Sequence, residues 1–358
     1  MSSKKCARCL LNDNIPGVTI PENSETCSVC IDHDQTWSNW HERRTELERL
    51  FEAARRKRRD YDVLVPLSGG KDSTYVLYLC RKVFGLKCLA VTFDNGFLSE
   101  HAKQNITNAC NRLNADHAYF SLGHEMIMKL YKVFFLRTGF FCPVCMLGMG
   151  IATFRLQEAF NIPLSLQGTS RRTEEHIDKQ FFMDGNLNLV ENVLKEEGLD
   201  SDLRVLLRPA GIFRSPAKIK LPDYLEWDYR KIYDTITSEL EWSSPEKDAE
   251  HTDCIVEPVV QYLRYRKFPA ITPELLRFSK LVTCGQMTKS EALKQVEEAR
   301  QKLGGEPPVL QLFLDSLEIT REDFEDVILD PLRHLKYLKG VHPAVRRLKT
   351  IKHRLFPS

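Results

Sequence analysis

Apolar and polar positions follow different rhythms in different parts of this chain. Between Tyr61 and Gln167, short apolar runs alternate with longer amphipathic stretches. Tyr61–Leu67, Leu86–Phe93, His117–Phe120 and Ile162–Gln167 read as strands, and Thr74–Phe84 and Ser99–Leu113 read as helices. Strands alternating with helices at this period imply a parallel sheet with helices on both faces, an α/β fold. Upstream, Trp40, Leu47, Leu50, Phe51 and Ala54 recur at helical spacing among Arg and Glu, so Trp40–Lys57 is predicted to be a connector helix. Beyond Arg214 the pattern turns mostly helical. Thr288-Lys289-Ser290-Glu291 is a capping box opening a helix that Gly304-Gly305 ends. Lys4–Cys30, by contrast, has almost no apolar periodicity. These changes divide the chain into residues 1–36, 37–60, 61–213 and 214–358, the last read as a helical appendage or substrate domain. There is no internal repeat and no low-complexity tract.

With 358 residues the chain is long enough for two or three domains and a full core. Apolar residues at 42% and charged residues at 28% are ordinary for a soluble protein, and no apolar run reaches membrane-span length, so no membrane partner is expected. Met1-Ser2-Ser3-Lys4-Lys5 meets a cysteine before any apolar stretch, which argues against a secretory signal and for a cytoplasmic location. A formal charge of +2 creates no global field towards nucleic acid. Only Arg55–Arg59 and Arg346–Arg354 are locally basic, and the plain reading of each is a solvated helix face.

Eleven cysteines in a reducing compartment point to metal or redox chemistry rather than disulfides. In the segment without periodicity, Cys6-Ala7-Arg8-Cys9 and Cys27-Ser28-Val29-Cys30 have the spacing of a zinc ribbon or knuckle. Four thiolates close a tetrahedron round Zn2+, which supplies folding energy that so short a segment cannot draw from a core. A closed site has no open coordination position, so its role is structural. Loss of the metal is expected to unsettle this segment without touching chemistry elsewhere.

The first predicted strand runs directly into Ser68-Gly69-Gly70-Lys71-Asp72-Ser73. In an open parallel sheet, ligands bind beyond the carboxyl ends of the strands. Here glycines let the backbone approach an anion, a helix N-terminus offers unpaired N–H groups, and Lys71 adds a point charge. The stretch is therefore a phosphate cradle, although it lacks the earlier glycine of the G-x-x-x-x-G-K-[ST] loop. It resembles the PP-loop of the ATP pyrophosphatase superfamily, which implies a HUP-like α/β domain that binds MgATP and transfers AMP to a substrate oxygen. Ser68, Gly69, Gly70, Lys71, Asp72 and Ser73 would then hold nucleotide, with Asp94 and Gly168 at the ends of later strands as further contacts. Asp72 would help hold Mg2+, a hard cation that prefers one or two carboxylates plus phosphate oxygens.

Adenylation only prepares an oxygen to leave, so the specific chemistry lies in what replaces it. Cys142-Pro143-Val144-Cys145 and a distant Cys254 resemble the tRNA 2-thiolation enzymes, which implies a [4Fe-4S] cluster on three thiolates with one iron open to an external sulfur. A second zinc site, a redox disulfide between Cys142 and Cys145, and inert thiols are the other readings of these three. Asp253 is either a proton acceptor or a solvated carboxylate. Cys80 and Cys88 read as small buried hydrophobes. A second resemblance covers more of the chain. The two cysteine pairs, Pro16-Gly17-Val18-Thr19, Trp40-His41-Glu42-Arg43, Phe160–Leu164 and Gly285–Leu293 together look like N-acetyl-sugar amidotransferases of surface-polysaccharide biosynthesis, which use ammonia from a glutaminase partner. Thr169-Ser170-Arg171-Arg172 departs from the Glu-Asn pair those enzymes carry after the matching glycine. The expectation is an adenylating PP-loop transferase in which Lys71, Asp72, Cys142, Cys145 and Cys254 act and sulfur replaces the oxygen. Replacement by ammonia nitrogen, or a non-catalytic zinc-bearing ATP adapter, are the alternatives. A sulfur donor or a glutaminase is the implied partner, tRNA or a small molecule such as a nucleotide sugar the substrate. A homodimer is compatible with all three.

Overall fold

The computed structural model describes residues 3–56, 60–173, 187–199, 217–245 and 252–338. Five strands, β1 (Val63–Pro66), β2 (Cys88–Phe93), β3 (Asp116–Phe120), β4 (Leu164–Gln167) and β5 (Ala217–Lys220), lie in the order β3-β2-β1-β4-β5 with every pair parallel. Helices α1 (Ser28–Trp37) and α2 (Arg44–Arg55) precede the sheet. α3 (Lys71–Tyr78) links β1 to β2, α4 (Glu100–Leu113) links β2 to β3, and α5 (His124–Thr138) with α6 (Cys142–Ala159) links β3 to β4. α7 (Leu187–Glu196) falls between β4 and β5. Then come α8 (Tyr229–Leu240), α9 (Glu257–Lys267), α10 (Pro273–Thr283), α11 (Lys289–Leu303), α12 (Leu310–Leu317) and α13 (Arg321–Leu329).

Strand periodicity sorts the sheet residues between two cores, because successive side chains point to opposite faces. Val63 and Val65 of β1 and Cys88 and Ala90 of β2 pack with Phe51 of α2, Val76 of α3, Ile106 of α4 and Ile236 of α8. Leu64, Leu89, Val91 and Phe93 point the other way, into a core shared with α5, α6, the four N-terminal cysteines and helices α9 to α13. This second core crosses the segment boundaries drawn from the sequence at both ends. The C-terminal region is mostly helical, as its pattern implies, yet it is packed into the sheet's own core rather than appended to it.

Local differences have local causes. α3 begins at Lys71 rather than Thr74, because Gly70 takes the extended N-cap conformation. It ends in a π turn over Leu79–Val83 that hands the Phe84 N–H to the Leu79 carbonyl at 2.9 Å. The connector is a 3-10 turn, Trp40–Arg43, followed by α2, which stops at Arg55. α1 and β5 carry no apolar pattern that would announce them: only Val29 and Cys30 are buried in α1, and only Ile219 in β5. Lys57, Arg58, Arg59 and Arg346–Arg354 lie outside the described residues. Among the described residues no helix is long and apolar enough to cross a membrane.

Candidate functional site

Order β3-β2-β1-β4-β5 places the switch point of the sheet between β1 and β4, where crossovers leave in opposite directions and a crevice opens beyond the strand ends. The phosphate cradle leaves β1 at this point, and Gly168 leaves β4 beside it. Gly69 has φ +81°, a conformation glycine adopts without strain, and a Cβ there would stand 2.5 Å from the Ala102 carbonyl oxygen of α4. The turn is tied inwardly: Ser73 Oγ accepts from the Ser68 N–H at 3.2 Å and donates to the Gly70 carbonyl at 3.0 Å. Lys71 and Asp72 head α3, with Nζ to Oδ2 at 3.3 Å, and both are partly exposed. Gly168 has to be small, since a Cβ on it would meet Asp72 Cβ at 2.9 Å and the Asp72 carbonyl oxygen at 3.0 Å.

Distant parts of the chain complete this crevice. An antiparallel bridge joins Leu98 to Cys254, the Ser99 N–H donates to the Asp253 carbonyl at 2.9 Å, and Ser99 Oγ donates to the Thr252 carbonyl at 2.8 Å. Asp253 thereby hangs over the cradle, its Oδ2 3.8 Å from where a Gly70 Cβ would stand. The Asp94 N–H donates to the Phe120 carbonyl at 2.8 Å, and Asp94 Oδ1 accepts from the Gly96 N–H at 3.0 Å, which turns the chain at the end of β2.

The second cysteine group sits along the same edge. Cys142 and Cys145 occupy the first turn of α6, one above the other. Tyr131 of α5 is buried, and its phenol is pushed well above its usual pKa first by burial and then by Cys145, Cys254 and Cys142, all three of which pack against the core that holds it. Its Oη donates to the Asn95 carbonyl at 3.1 Å, while Asn95 Nδ2 lies 3.8 Å from Cys145 Sγ. Burial pushes the Cys145 thiol up to about 11 and, with the Glu257 carboxylate, pushes Cys254 up further. Both are therefore thiols at neutral pH, and only a bound cation would make thiolates of them. Among the described residues, the one group of metal-ligating atoms all within 4.8 Å of each other is elsewhere, so these three do not meet the spacing of a single shared ion.

That closer group is Cys6, Cys9, Cys27 and Cys30, all buried. Cys6 to Cys30 is 4.0 Å and Cys9 to Cys27 is 3.6 Å between sulfurs. A tetrahedron of Zn–S bonds of about 2.3 Å has edges of about 3.8 Å, so a metal ion of that size fits. Hydrogen bonds from Cys30 and then Cys9 hold the Cys27 thiol down while raising those two partners, and the N–H groups of Cys9 and Cys27 donate to Cys6 Sγ at 3.4 and 3.3 Å. Such support for negative sulfur is what a thiolate cage needs.

Comparison with known proteins bears on both ends of the crevice. A family model described as NAD synthase matches residues 45–134, the span that holds β1, the cradle, α3, β2, α4 and β3. The sheet and its loop are a PP-loop ATP pyrophosphatase domain. A second model, described as the C-terminal domain of the WbpG-like LPS biosynthesis protein, matches residues 250–351. An uncharacterized protein of Methanocaldococcus jannaschii is 22% identical over 299 residues, covering 83% of this chain and 94% of that protein. Among solved structures, NMN synthetase from Francisella tularensis is similar with 13% identity and a TM-score of 0.33, over 76% of this chain and 93% of that one.

The PP-loop domain implies ATP and Mg2+ as its ligands, and Lys71 and Asp72 stand partly exposed at the α3 N-terminus. Sequence reasoning locates this loop because strand, turn and helix are consecutive. It misses the partners that come from afar: Trp227 Nε1 donates to Asp72 Oδ1 at 2.9 Å, and Trp242 Nε1 and Asn105 Nδ2 donate to the Gly69 carbonyl at 2.8 and 3.3 Å. A buried tryptophan reads as core unless its N–H is asked for a partner, the one signal that was present.

Proposed function

We propose that this protein is a PP-loop amidotransferase that adenylates the carbonyl oxygen of an acetamido group on a sugar precursor of surface polysaccharide and replaces that oxygen with ammonia nitrogen. The observation that carries the reading is the join between the two matched regions: residues 252–255, at the start of the WbpG-like part, pair with Phe97–Ser99 of the NAD synthase-like part and bring the Asp253 carboxylate to Gly70 of the PP-loop. The balance is simple. The amide oxygen attacks the α-phosphorus of ATP, the bond to pyrophosphate breaks, ammonia adds to the imidate carbon, and AMP leaves with the oxygen to give an amidine. Loop N–H groups and Lys71 neutralise charge on the departing pyrophosphate, which is positioning and electrostatics. Mg2+, when bound, screens the phosphates. Asp72 would hold it, and Asp253, which approaches Gly70, would orient the incoming nucleophile. A glutaminase supplying ammonia is the implied partner, and zinc is the metal proposed for Cys6, Cys9, Cys27 and Cys30, in a structural role.

Sulfur insertion is the second reading, favoured by Cys142, Cys145 and Cys254 packing against one core, where they would be the residues to hold an iron–sulfur cluster. The test is release of pyrophosphate and AMP with an N-acetylated nucleotide sugar and ammonium, compared with tRNA or the same sugar and sulfide, using anaerobically purified protein assayed for iron. Turnover with ammonium in iron-free protein supports the amidotransferase; turnover that needs iron and sulfide replaces it with the second reading. Lys71→Ala is expected to lower pyrophosphate release by about two orders of magnitude with the melting temperature unchanged, because Lys71 is a partly exposed donor whose stabilisation acts on developing charge.

A further inference from the structure

Two indoles grip the PP-loop from the ends of one helix. Trp227 precedes α8 and Trp242 follows it, both buried, and they reach Asp72 and Gly69 across 155 and 173 residues of sequence. Between them, Ile232, Ile236 and Leu240 anchor α8 in the core beneath α3 and α4. The second and fifth residues of the hexapeptide are therefore tied to a single rigid element that belongs to neither β1 nor β4.

Trp227 is itself held from two sides. Gln286 Nε2 donates to the Trp227 carbonyl at 2.8 Å, and Gln286 Oε1 accepts from the Tyr229 N–H at 3.1 Å, so one side chain spans the entry to α8. Upstream, the buried Arg172 guanidinium donates to the carbonyls of Pro222 and Leu225. The indole ring meets Tyr75 edge-on at 5.2 Å, which prevents it from swinging away from α3.

Asp72 gains a defined orientation from this. Oδ1 accepts from the indole and Oδ2 faces Lys71, which leaves the other lone pairs of the carboxylate for a cation in the crevice. Without the indole, only the 3.3 Å pairing of Oδ2 with Lys71 would restrain the carboxylate. We propose that Trp227 is a positioning residue of the PP-loop, fixing the plane in which the Asp72 carboxylate meets the divalent cation on the ATP phosphates, and that Gln286 acts through Trp227. The inference rests on the loop being an MgATP cradle.

A tryptophan that merely fills the core would be replaced by phenylalanine at some cost in stability and with no change in cation dependence. The experiment measures ATP binding to the full chain by calorimetry at a series of Mg2+ concentrations. Trp227→Phe is expected to raise the Mg2+ concentration for half-maximal binding about tenfold, the worth of a hydrogen bond to a charged group. Gln286→Ala is expected to shift it the same way by about threefold and stands in should Trp227→Phe fail to fold. Trp242→Phe, whose indole donates to the Gly69 carbonyl and not to the carboxylate, is expected to weaken ATP binding alike at every Mg2+ concentration without moving that midpoint. Unchanged midpoints in the first two variants, or an equal shift in the third, overturn this inference alone. Failure of the wild type to bind MgATP overturns the cradle reading together with it.

Discussion

At the residue scale, the least expected group is Lys267, buried at the end of α9 with Nζ donating to the Gly139 carbonyl at 3.2 Å and lying 3.8 Å over the Phe140 ring. Burial and then the Arg333 charge push its pKa well below the usual lysine value. His334 meets the same Phe140 ring at 5.4 Å and is held down to about 3, by burial first and Lys267 second. The sign of the consequence follows from proton counting. Below about 6.5 an unfolded histidine takes up a proton that folded His334 refuses until about pH 3, so stability falls as pH drops through that window. The slope from this one group approaches about 1.4 kcal/mol per pH unit. His334→Phe, which keeps a ring against Phe140, is expected to flatten the decline in urea-unfolding free energy between pH 6.5 and 4. Parallel curves for variant and wild type would mean that His334 is reached by protons in the folded state.

At the scale of elements, the N-terminal knuckle is bound into the rest of the chain more closely than its sequence implies. Cys30 Sγ contacts Thr283 Oγ1 at 3.4 Å, Lys289 Nζ donates to the Cys6 carbonyl at 2.7 Å, and Lys280 Nζ lies 3.1 Å from His33 Nδ1. The loop after β4 is held to the same neighbourhood: Arg171 pairs with Asp32 at 3.9 Å, Arg172 stacks 4.0 Å over Trp40, and Cys284 Sγ donates to the Arg172 carbonyl at 2.8 Å. Since Gly168 opens that loop and packs on Asp72, disorder in the knuckle reaches the PP-loop through it. Cys27→Ser is expected to lose the metal and to speed amide exchange, read by mass spectrometry, at 168–173 and 280–289 as well as at 6–30. Faster exchange confined to the N-terminal segment would return the knuckle to the independent role its composition suggested. How far the elements were legible follows the same logic. β1 and β2 announce themselves because almost every residue in them is buried and apolar, and β4 because Leu164 and Leu166 alternate with Ser165 and Gln167. β5 does not, since an edge strand held by pairing to β4 needs only Ile219 inside. α1 is hidden because its place is set by cysteine spacing and not by an apolar face. The PP-loop is legible as three consecutive local signals, whereas Trp227, Gln286 and Asp253 reach it only once the chain has folded: Asp253 reads as a candidate proton acceptor beside Cys254, but its place over Gly70 is not written locally.

For the whole molecule, the decisive question is whether the PP-loop domain stands without the C-terminal region. Phe135 of α5 and Phe141 before α6 are buried against C-terminal rings: Phe135 meets Phe313 at 5.4 Å and Phe324 at 5.6 Å, and Phe141 meets Phe313 at 4.9 Å. Arg333 Nη1 adds a bond to the Leu136 carbonyl at 2.8 Å. Uncovering these two phenylalanines forfeits about 2 kcal/mol or more each, so roughly 4 kcal/mol together. That approaches the whole stability of a marginal domain, about 5 kcal/mol. The cradle would also lose Asp253 and the Leu98–Cys254 bridge that closes its open side. A chain ending at Pro245 keeps the whole sheet, the PP-loop and both tryptophans of the clamp, so an independent domain would still bind MgATP. The expected result is instead that residues 1–245 sediment as aggregates and bind no MgATP, while adding the region back as a separate chain during refolding restores both monodispersity and binding. A monomeric 1–245 fragment with the affinity of the full chain would show that the helices are an appendage after all, and that the shared core contributes little to the site.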